Sequence, residues 1–341
     1  MLVYQYHLKE KRNLLVAGQL GPLGYRPEEF KAMGDRLMPT LIHDDDLSQI
    51  AAHHDRCLGL GIGEERQVYY RMRSKSFEKL FYRSRDRCIR LGPDGTCDVI
   101  EGQAQCISEA EFDARKLIEH ALHNDLFTLH YQPIVDLTTG EVKGYEALSR
   151  IEEAGRVVPP IHYLPSLLGS DLEQQWLEHE LQQAVHALDY LDGFVSVNLS
   201  GSSLRWSFLP DLLKPHSPNP RLWFEVLEDA TIGEAQTANL KFLRRLGHHI
   251  KLDDFPTGCD PVRKLLSPAT FDGVKLDRVV CDGVANDSDL REFTASLIAL
   301  AKKKGLLVVC EGIEVQADAD RLRELGADYG QGWYFGKPSP L

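Results

Sequence analysis

The sequence predicts an α/β protein: a β/α barrel preceded by a small α+β domain. Three observations predict it. The 341 residues are enough for two domains, or for one barrel with an appendage. From about residue 126 onward, short apolar runs alternate with helical stretches. Each of those runs stops at or near a carboxylate, an amide or a lysine, as the strands of a barrel with a polar mouth would.

Residues 1–107 read as short strands around a helical middle. VYQYHLK and RNLLVAGQL look like paired strands, while RPEEFKAMGDRL and HDDDLSQIAAHHDRCLGL look helical. The second helix opens on acidic residues, which suit the positive end of the helix dipole. Gly59, Gly61 and Gly63 follow a helix rather than a strand, so they read as a connection and not as a dinucleotide loop. In the basic stretch from Arg66 to Arg90, Arg71, Arg73 and Lys75 alternate with Val68, Tyr70 and Met72, the period of half-buried antiparallel strands. A solvated sheet face accounts for that pattern. A GPDGT turn and the run CDVIEGQAQCI complete the domain.

Residues 108–125 read as a connecting helix. Phe112, Leu117, Ile118, Ala121 and Leu122 recur at helical spacing, and Ser108 with Glu111 forms a capping-box pattern. Residues 126–341 then supply the strands FTLHYQPIV, VKGYEALSRI, GFVSVNLS, RLWFEVLE, HHIKLDDF, FDGVKLD, LLVVCEGI and YGQGWYF. Helical stretches such as LEQQWLEHELQQAVHALDYL and DLREFTASLIALAKKKG lie between them.

Glu146, Asn198, Glu225, the pair Asp253 and Asp254, Lys275, Glu311 and Gln331 stand at the strand ends. Taken alone, Asp253-Asp254 fits a solvated turn. Carboxylates converging on one mouth repel one another unless cations compensate them, which implies divalent metal. Oxygen ligands with an amide point to Mg2+ or Mn2+ rather than to zinc or copper. Paired carboxylates suit a two-metal site that activates water against a phosphate. Lys275 could orient that water or offset phosphoryl charge, and Glu311 could take the proton. That is phosphoester hydrolysis in outline.

The bulk numbers narrow the partners. A net charge of −12 argues against a nucleic-acid duplex, because phosphate neutralisation needs a basic face. No apolar run approaches a membrane span and the N-terminus lacks an apolar signal core, so the expectation is a cytoplasmic protein without a membrane partner. The cysteines, 7 in all, are scattered, with no Cys-x-x-Cys pattern and no Cys/His spacing suited to zinc. Reduced thiols are expected. Asn198-Leu199-Ser200 fits the glycosylation pattern, but a cytoplasmic chain does not meet that machinery.

YQPIVDLTTGEVKGYEALSR resembles the opening of EAL-type cyclic di-GMP phosphodiesterases, whose name triplet stands here as Glu146-Ala147-Leu148. The likeness continues through SVNLS, FEVLED, KLDDF, VKLD, CEGIE and QGWYFGKP, in the same order, over about residues 126–341. It implies a TIM-like barrel that opens one phosphodiester bond of cyclic di-GMP to give linear pGpG. By that resemblance, Glu146, Asn198, Glu225 and Asp253 hold one Mg2+ or Mn2+, and Asp253 bridges to a second held also by Asp254. Lys275 and Glu311 would handle the attacking water. Gln132, Leu148, Arg150 and Gln331 would seat the dinucleotide, and Glu228 would anchor the loop after the paired aspartates. Glu314 is left unassigned.

The first domain resembles a PAS sensor through GYRPEEF, LIHDDDL and the closing strand VIEGQAQCIS. That resemblance implies a regulatory module, often self-pairing and hence a homodimer, whose ligand is unknown. One departure stands out. Family members usually place glycine after the paired aspartates, whereas this chain has Phe255 and then Pro256, which fixes φ and restricts the residue before it. Weakened metal occupancy or altered control is expected from that change. The alternative to an active enzyme is therefore a catalytically weak or inactive cyclic di-GMP receptor.

Overall fold

The protein is described by a computed structural model over residues 1–18, 20–206, 209–227, 233–257 and 271–341. Residues 1–120 with 165–171 form one compact unit, and residues 121–164 with 172–341 form another.

In the first unit, β1 (Leu2–His7) and β2 (Arg12–Gly18) precede helices α1 (Pro27–Met33), α2 (Leu37–Leu41) and α3 (Leu47–Cys57). Three strands follow: β3 (Glu65–Arg73), β4 (Lys79–Leu91) and β5 (Cys97–Ile107). They form one antiparallel sheet in the order β2-β1-β5-β4-β3. The alternation seen in the basic stretch is that of a sheet with one covered face. Tyr82, Ser84, Asp86 and Cys88 of β4 point inward, while Arg85 and Arg87 are exposed. Arg83 and Arg85 meet Glu111 and Glu65, so the basic stripe is partly neutralised within its own unit. Leu23, Phe30, Leu41, Ile50, Val68 and Met72 pack as the core beneath. A small apolar cavity of about 30 Å³ lies among Tyr4, Tyr6, Phe30, Ile50, His54 and Met72.

Helix α4 (Glu109–His123) starts as its capping pattern requires, the Glu111 amide donating to Ser108 Oγ at 3.1 Å. The second unit follows with β6 (Phe127–Asp136), β7 (Val142–Glu153), β8 (Arg156–Val158), β9 (Phe194–Leu199) and β10 (Leu222–Val226). It continues with β11 (His249–Phe255), β12 (Gly273–Leu276), β13 (Leu307–Cys310) and β14 (Tyr329–Gln331). The strands run β6-β14-β13-β12-β11-β10-β9-β7, and a β6–β7 pairing closes the ring into an 8-strand barrel. β8 is a hairpin arm on β7 and is not a stave.

Helices α5 (Leu164–Leu167), α6 (Glu173–Ala187), α7 (Leu209–Leu213), α8 (Glu234–Arg245), α9 (Arg278–Cys281), α10 (Ser288–Lys303) and α11 (Gln316–Glu324) intervene between strands. α10 shows why these segments are helical. Asp287 accepts from the amides of Asp289 and Leu290, Thr294, Leu297, Ile298 and Ala301 form the buried stripe, and Lys302 and Lys303 close the last turn. Gly273–Leu276 is buried throughout and the other strands between helices are buried at most positions, which is why they read as apolar runs.

One strand departs from the simple alternation of strand and helix. β6 is antiparallel to both neighbours, β7 and β14, whereas the other staves pair in parallel. Its register sets Gln132 opposite Glu146. A residue from the middle of β6 thereby reaches the polar end of the barrel.

Candidate functional site

The polar end is built from strand-end residues on neighbouring staves. Glu225 on β10 lies in register with Asn198 on β9 and with Lys251 on β11. Two residues beyond Lys251, on the same strand face, stands Asp253. Strand alternation alone would turn Asp254 away from the site. Instead the β11–β12 register shifts between Leu252 and Phe255, and Asp254 takes a left-handed φ of 52°. Aspartate tolerates that region better than most residues. Both carboxylates therefore line the same cavity.

Lys275 is the hub. Its Nζ lies 2.5 Å from Glu225 Oε2, 3.0 Å from Asp253 Oδ1 and 3.2 Å from Glu146 Oε2, and it also pairs with Glu311. Behind it, Lys251 Nζ lies 2.6 Å from Glu225 Oε1 and over the rings of Phe194 and Trp223. Glu146 is held on its other sides by Asn198 Nδ2 at 2.9 Å and Gln331 Nε2 at 2.7 Å. Gln331 also donates to Gln132 Oε1 at 3.1 Å.

Charge does not balance in this cluster. Glu146, Glu225, Asp253, Asp254 and Glu311 face only Lys251 and Lys275 among the contacts described. Burial opposes ionisation of Glu225, but the two flanking ammonium groups outweigh it and hold that carboxyl at about 2. Burial lifts Asp253 well above the usual carboxylate range; Lys275 opposes the rise, and Glu311 and Glu225 add to it. Glu311 is pushed up to about 7 by burial, against the pull of Lys275. Burial raises Asp254 as well.

Two groups of donors converge closely enough to hold a cation each. Glu146, Glu225 and Asp253 form one and Asp253, Asp254 and Glu311 the other, with donor atoms in each within 4.8 Å of one another. Asp253 belongs to both. Asn198 Oδ1 and Gln331 Oε1 are buried without a hydrogen-bond donor, and Asp253 Oδ1 meets Lys275 without hydrogen-bond geometry. Buried acceptors lacking donors beside an unbalanced carboxylate cluster fit hard divalent cations.

Residues 115–338 match the family described as the EAL domain. The chain belongs to the EAL domain family. The chain is 32% identical over 247 residues to the cyclic di-GMP phosphodiesterase NbdA of Pseudomonas aeruginosa, covering 68% of this chain and 31% of that protein. It is 30% identical over 264 residues to the bifunctional diguanylate cyclase/cyclic di-GMP phosphodiesterase MucR of the same organism, covering 73% and 38%. The solved PaMucR phosphodiesterase in complex with c-di-GMP superimposes with a TM-score of 0.61 at 30% identity, covering 67% of this chain and 98% of that one. The chain thus spans less than half the length of these two curated relatives.

Gln132, Glu146, Leu148, Asp253, Asp254, Lys275, Glu311 and Gln331 line one cavity of about 290 Å³ in the EAL domain. Asn198 and Glu225 touch its walls through Glu146 and Lys275. Arg150 does not line it: its Nη1 donates to the Ser149 carbonyl at 2.7 Å. Glu228 lies outside the described residues, as does the segment 258–270 that follows Pro256 and Thr257.

Two charged residues escaped the sequence reading. Lys251 sits inside an apolar run, and its signal is its two-residue offset from Asp253, which puts both on one strand face. Arg278 borders the cavity, its Nη1 2.8 Å from Glu314 Oε1. Gly312, at φ 67°, leaves room for it, since a Cβ there would lie 2.4 Å from Arg278 Cγ. Glu314 thereby gains a positioning contact.

Near Arg150, Glu180 of α6 is buried, with Oε1 lacking a hydrogen-bond partner, and burial pushes its carboxyl up to about 8. A carboxyl raised in the folded state binds its proton more tightly there than in the unfolded chain. Its stabilisation is complete below about pH 4.5 and is lost as pH climbs through about 8. Glu180→Gln should remove that slope, becoming more stable than wild type by a few kcal/mol, roughly, above pH 8. Urea midpoints at several pH values would show it; parallel pH profiles would contradict it.

Proposed function

We propose that the EAL domain hydrolyses cyclic di-GMP to linear pGpG with Mg2+ or Mn2+, under the control of a PAS-like N-terminal domain. The sharing of Asp253 between two donor groups around Lys275 is the observation that supports this above all others. Glu146, Asn198, Glu225 and Asp253 would hold one ion, and Asp253 with Asp254 the other. Bound there, the ions would activate water and neutralise charge on the phosphoryl group.

The chain's own residues supply the rest. Lys275, anchored by four carboxylates, presents a fixed ammonium to the phosphoryl oxygens as charge builds. Glu311, at the cavity wall and paired with Lys275, accepts the proton of the attacking water at its carboxylate. One phosphorus–oxygen bond forms to water, and one breaks to the ribose 3′ oxygen, which takes up a proton from solvent as it leaves. Gln132, Leu148 and Gln331 shape the cavity floor for the dinucleotide, and Arg150 would turn from the Ser149 carbonyl to a phosphate. For the N-terminal domain, the order of strand pair, helical middle and strand triplet in one antiparallel sheet supports the PAS-like reading. Homodimerisation belongs to the same proposal.

Incubation of the purified protein with cyclic di-GMP and Mg2+ or Mn2+ should release pGpG, followed chromatographically, and chelation should stop it. Tight binding without turnover would refute the enzyme and establish the second reading, a non-hydrolytic receptor. Pro256, standing where relatives usually place glycine, is the feature that favours that second reading.

A further inference from the structure

We propose that the N-terminal unit carries a separate site for a thiophilic divalent metal ion of the zinc class, ligated by His53, Cys57 and Asp86. His53 and Cys57 stand one turn apart on α3, so their side chains share a helix face, and Asp86 comes from the covered face of β4. Their donor atoms lie within 4.8 Å of one another, and all three residues are essentially inaccessible, at 1%, 0% and 0% exposure.

The spacing suits tetrahedral coordination. His53 Nε2 and Cys57 Sγ are 3.5 Å apart. Zinc–nitrogen and zinc–sulfur bonds set at a tetrahedral angle give about 3.6 Å. His53 Nε2 and Asp86 Oδ2 stand 2.8 Å apart, hydrogen-bonded. Ligation of both to one ion would open that edge by about 0.5 Å. A mixed nitrogen, sulfur and oxygen set selects zinc-class metals over Mg2+ and Mn2+, so this site and the EAL cluster would take different ions.

Charge and orientation point the same way. A divalent ion with one thiolate, one carboxylate and a neutral imidazole sums to zero, which is what a fully buried site requires. On uptake the Cys57 thiol proton passes to solvent as the sulfur–metal bond forms, and the proton His53 shares with Asp86 moves from Nε2 to Nδ1, freeing the Nε2 lone pair for the ion. Asp86 is already held: Oδ1 accepts from Tyr4 OH at 2.6 Å and from Ser84 Oγ at 2.8 Å, leaving Oδ2 directed at His53. Such outer hydrogen bonds orient a ligating carboxylate. Cys88 and Cys97 are buried in the same packed cluster as Cys57 but donate to the carbonyls of Arg90 and Val99, so a fourth ligand is left to solvent.

Cobalt(II) titrated into the chelator-stripped full chain tests this. The expected result is a near-ultraviolet thiolate-to-cobalt charge-transfer band that saturates at one equivalent. Zinc at one equivalent should erase it and excess Mg2+ should not. Cys57→Ser should lose the band while Asp254→Asn keeps it, which separates this site from the EAL cluster. If Cys57→Ser fails to fold, His53→Gln should weaken cobalt uptake at least tenfold. No band at one equivalent, or a band that survives intact in folded Cys57→Ser or His53→Gln, would overturn the proposal and leave these residues as a hydrogen-bonded network alone.

Discussion

Lys275→Met is expected to abolish turnover and to destabilise the barrel by about 3–5 kcal/mol, the range for leaving buried charge without its partner. The ammonium is 1% exposed and touches Glu146, Glu225, Asp253 and Glu311. Those carboxylates also raise the Lys275 pKa well above its ordinary value, overcoming the burial that opposes it. Methionine matches the stem but leaves the four carboxylates, among the described residues, with Lys251, which reaches Glu225. Added Mn2+ should recover much of the lost stability, because an ion binding only the folded state stabilises by mass action. Denaturant midpoints with and without Mn2+ measure this. A midpoint shift below about 1 kcal/mol would show that the cluster does not depend on the lysine.

Glu146→Ala should act with the opposite sign on stability. Removing this carboxylate takes one negative charge out of a cluster that carries an excess of them, so the folded protein should be unchanged or slightly more stable. Turnover should nevertheless fall by about three orders of magnitude or more, the scale seen when preorganised electrostatic stabilisation is lost. Mn2+ affinity should fall with it, and Asn198 and Gln331 lose the acceptor that orients them. A retained rate with unchanged sensitivity to chelation would remove Glu146 from the metal-holding set.

The barrel was legible because buried parallel strands leave unbroken apolar runs, and the runs ending at Asn198, Glu225 and Lys275 correspond to β9, β10 and β12. Most of the cavity lining was legible for the same reason. What escaped depends on long-range geometry. Asp253 and Asp254 are not among what escaped: the sequence puts both at the site, and the register shift against β12 supplies the physical means, since alternation along β11 alone would set them on opposite faces. The direction of β6 is invisible in its composition, since an antiparallel stave has the same apolar pattern as a parallel one. Lys251 was hidden because a lysine within an apolar run is normally a strand-edge residue, not the partner of a buried glutamate. His53 and Asp86 are 33 residues apart in sequence, and their contact exists only once α3 lies on β4.

The reversal of β6 has a mechanical consequence. Because β6 runs against β7, its first residue, Phe127, stands opposite Ile151, near the end toward which β7 runs, while Asp136 lies at the far end beside Tyr329. The polypeptide leaving α4 therefore feeds into the barrel from the polar rim, a few residues upstream of Gln132. A pull or a twist applied to the end of that helix would travel only along Phe127–Tyr131 before reaching the Gln132–Glu146 pair. The polar cavity is thus joined to that helix by one short run of strand.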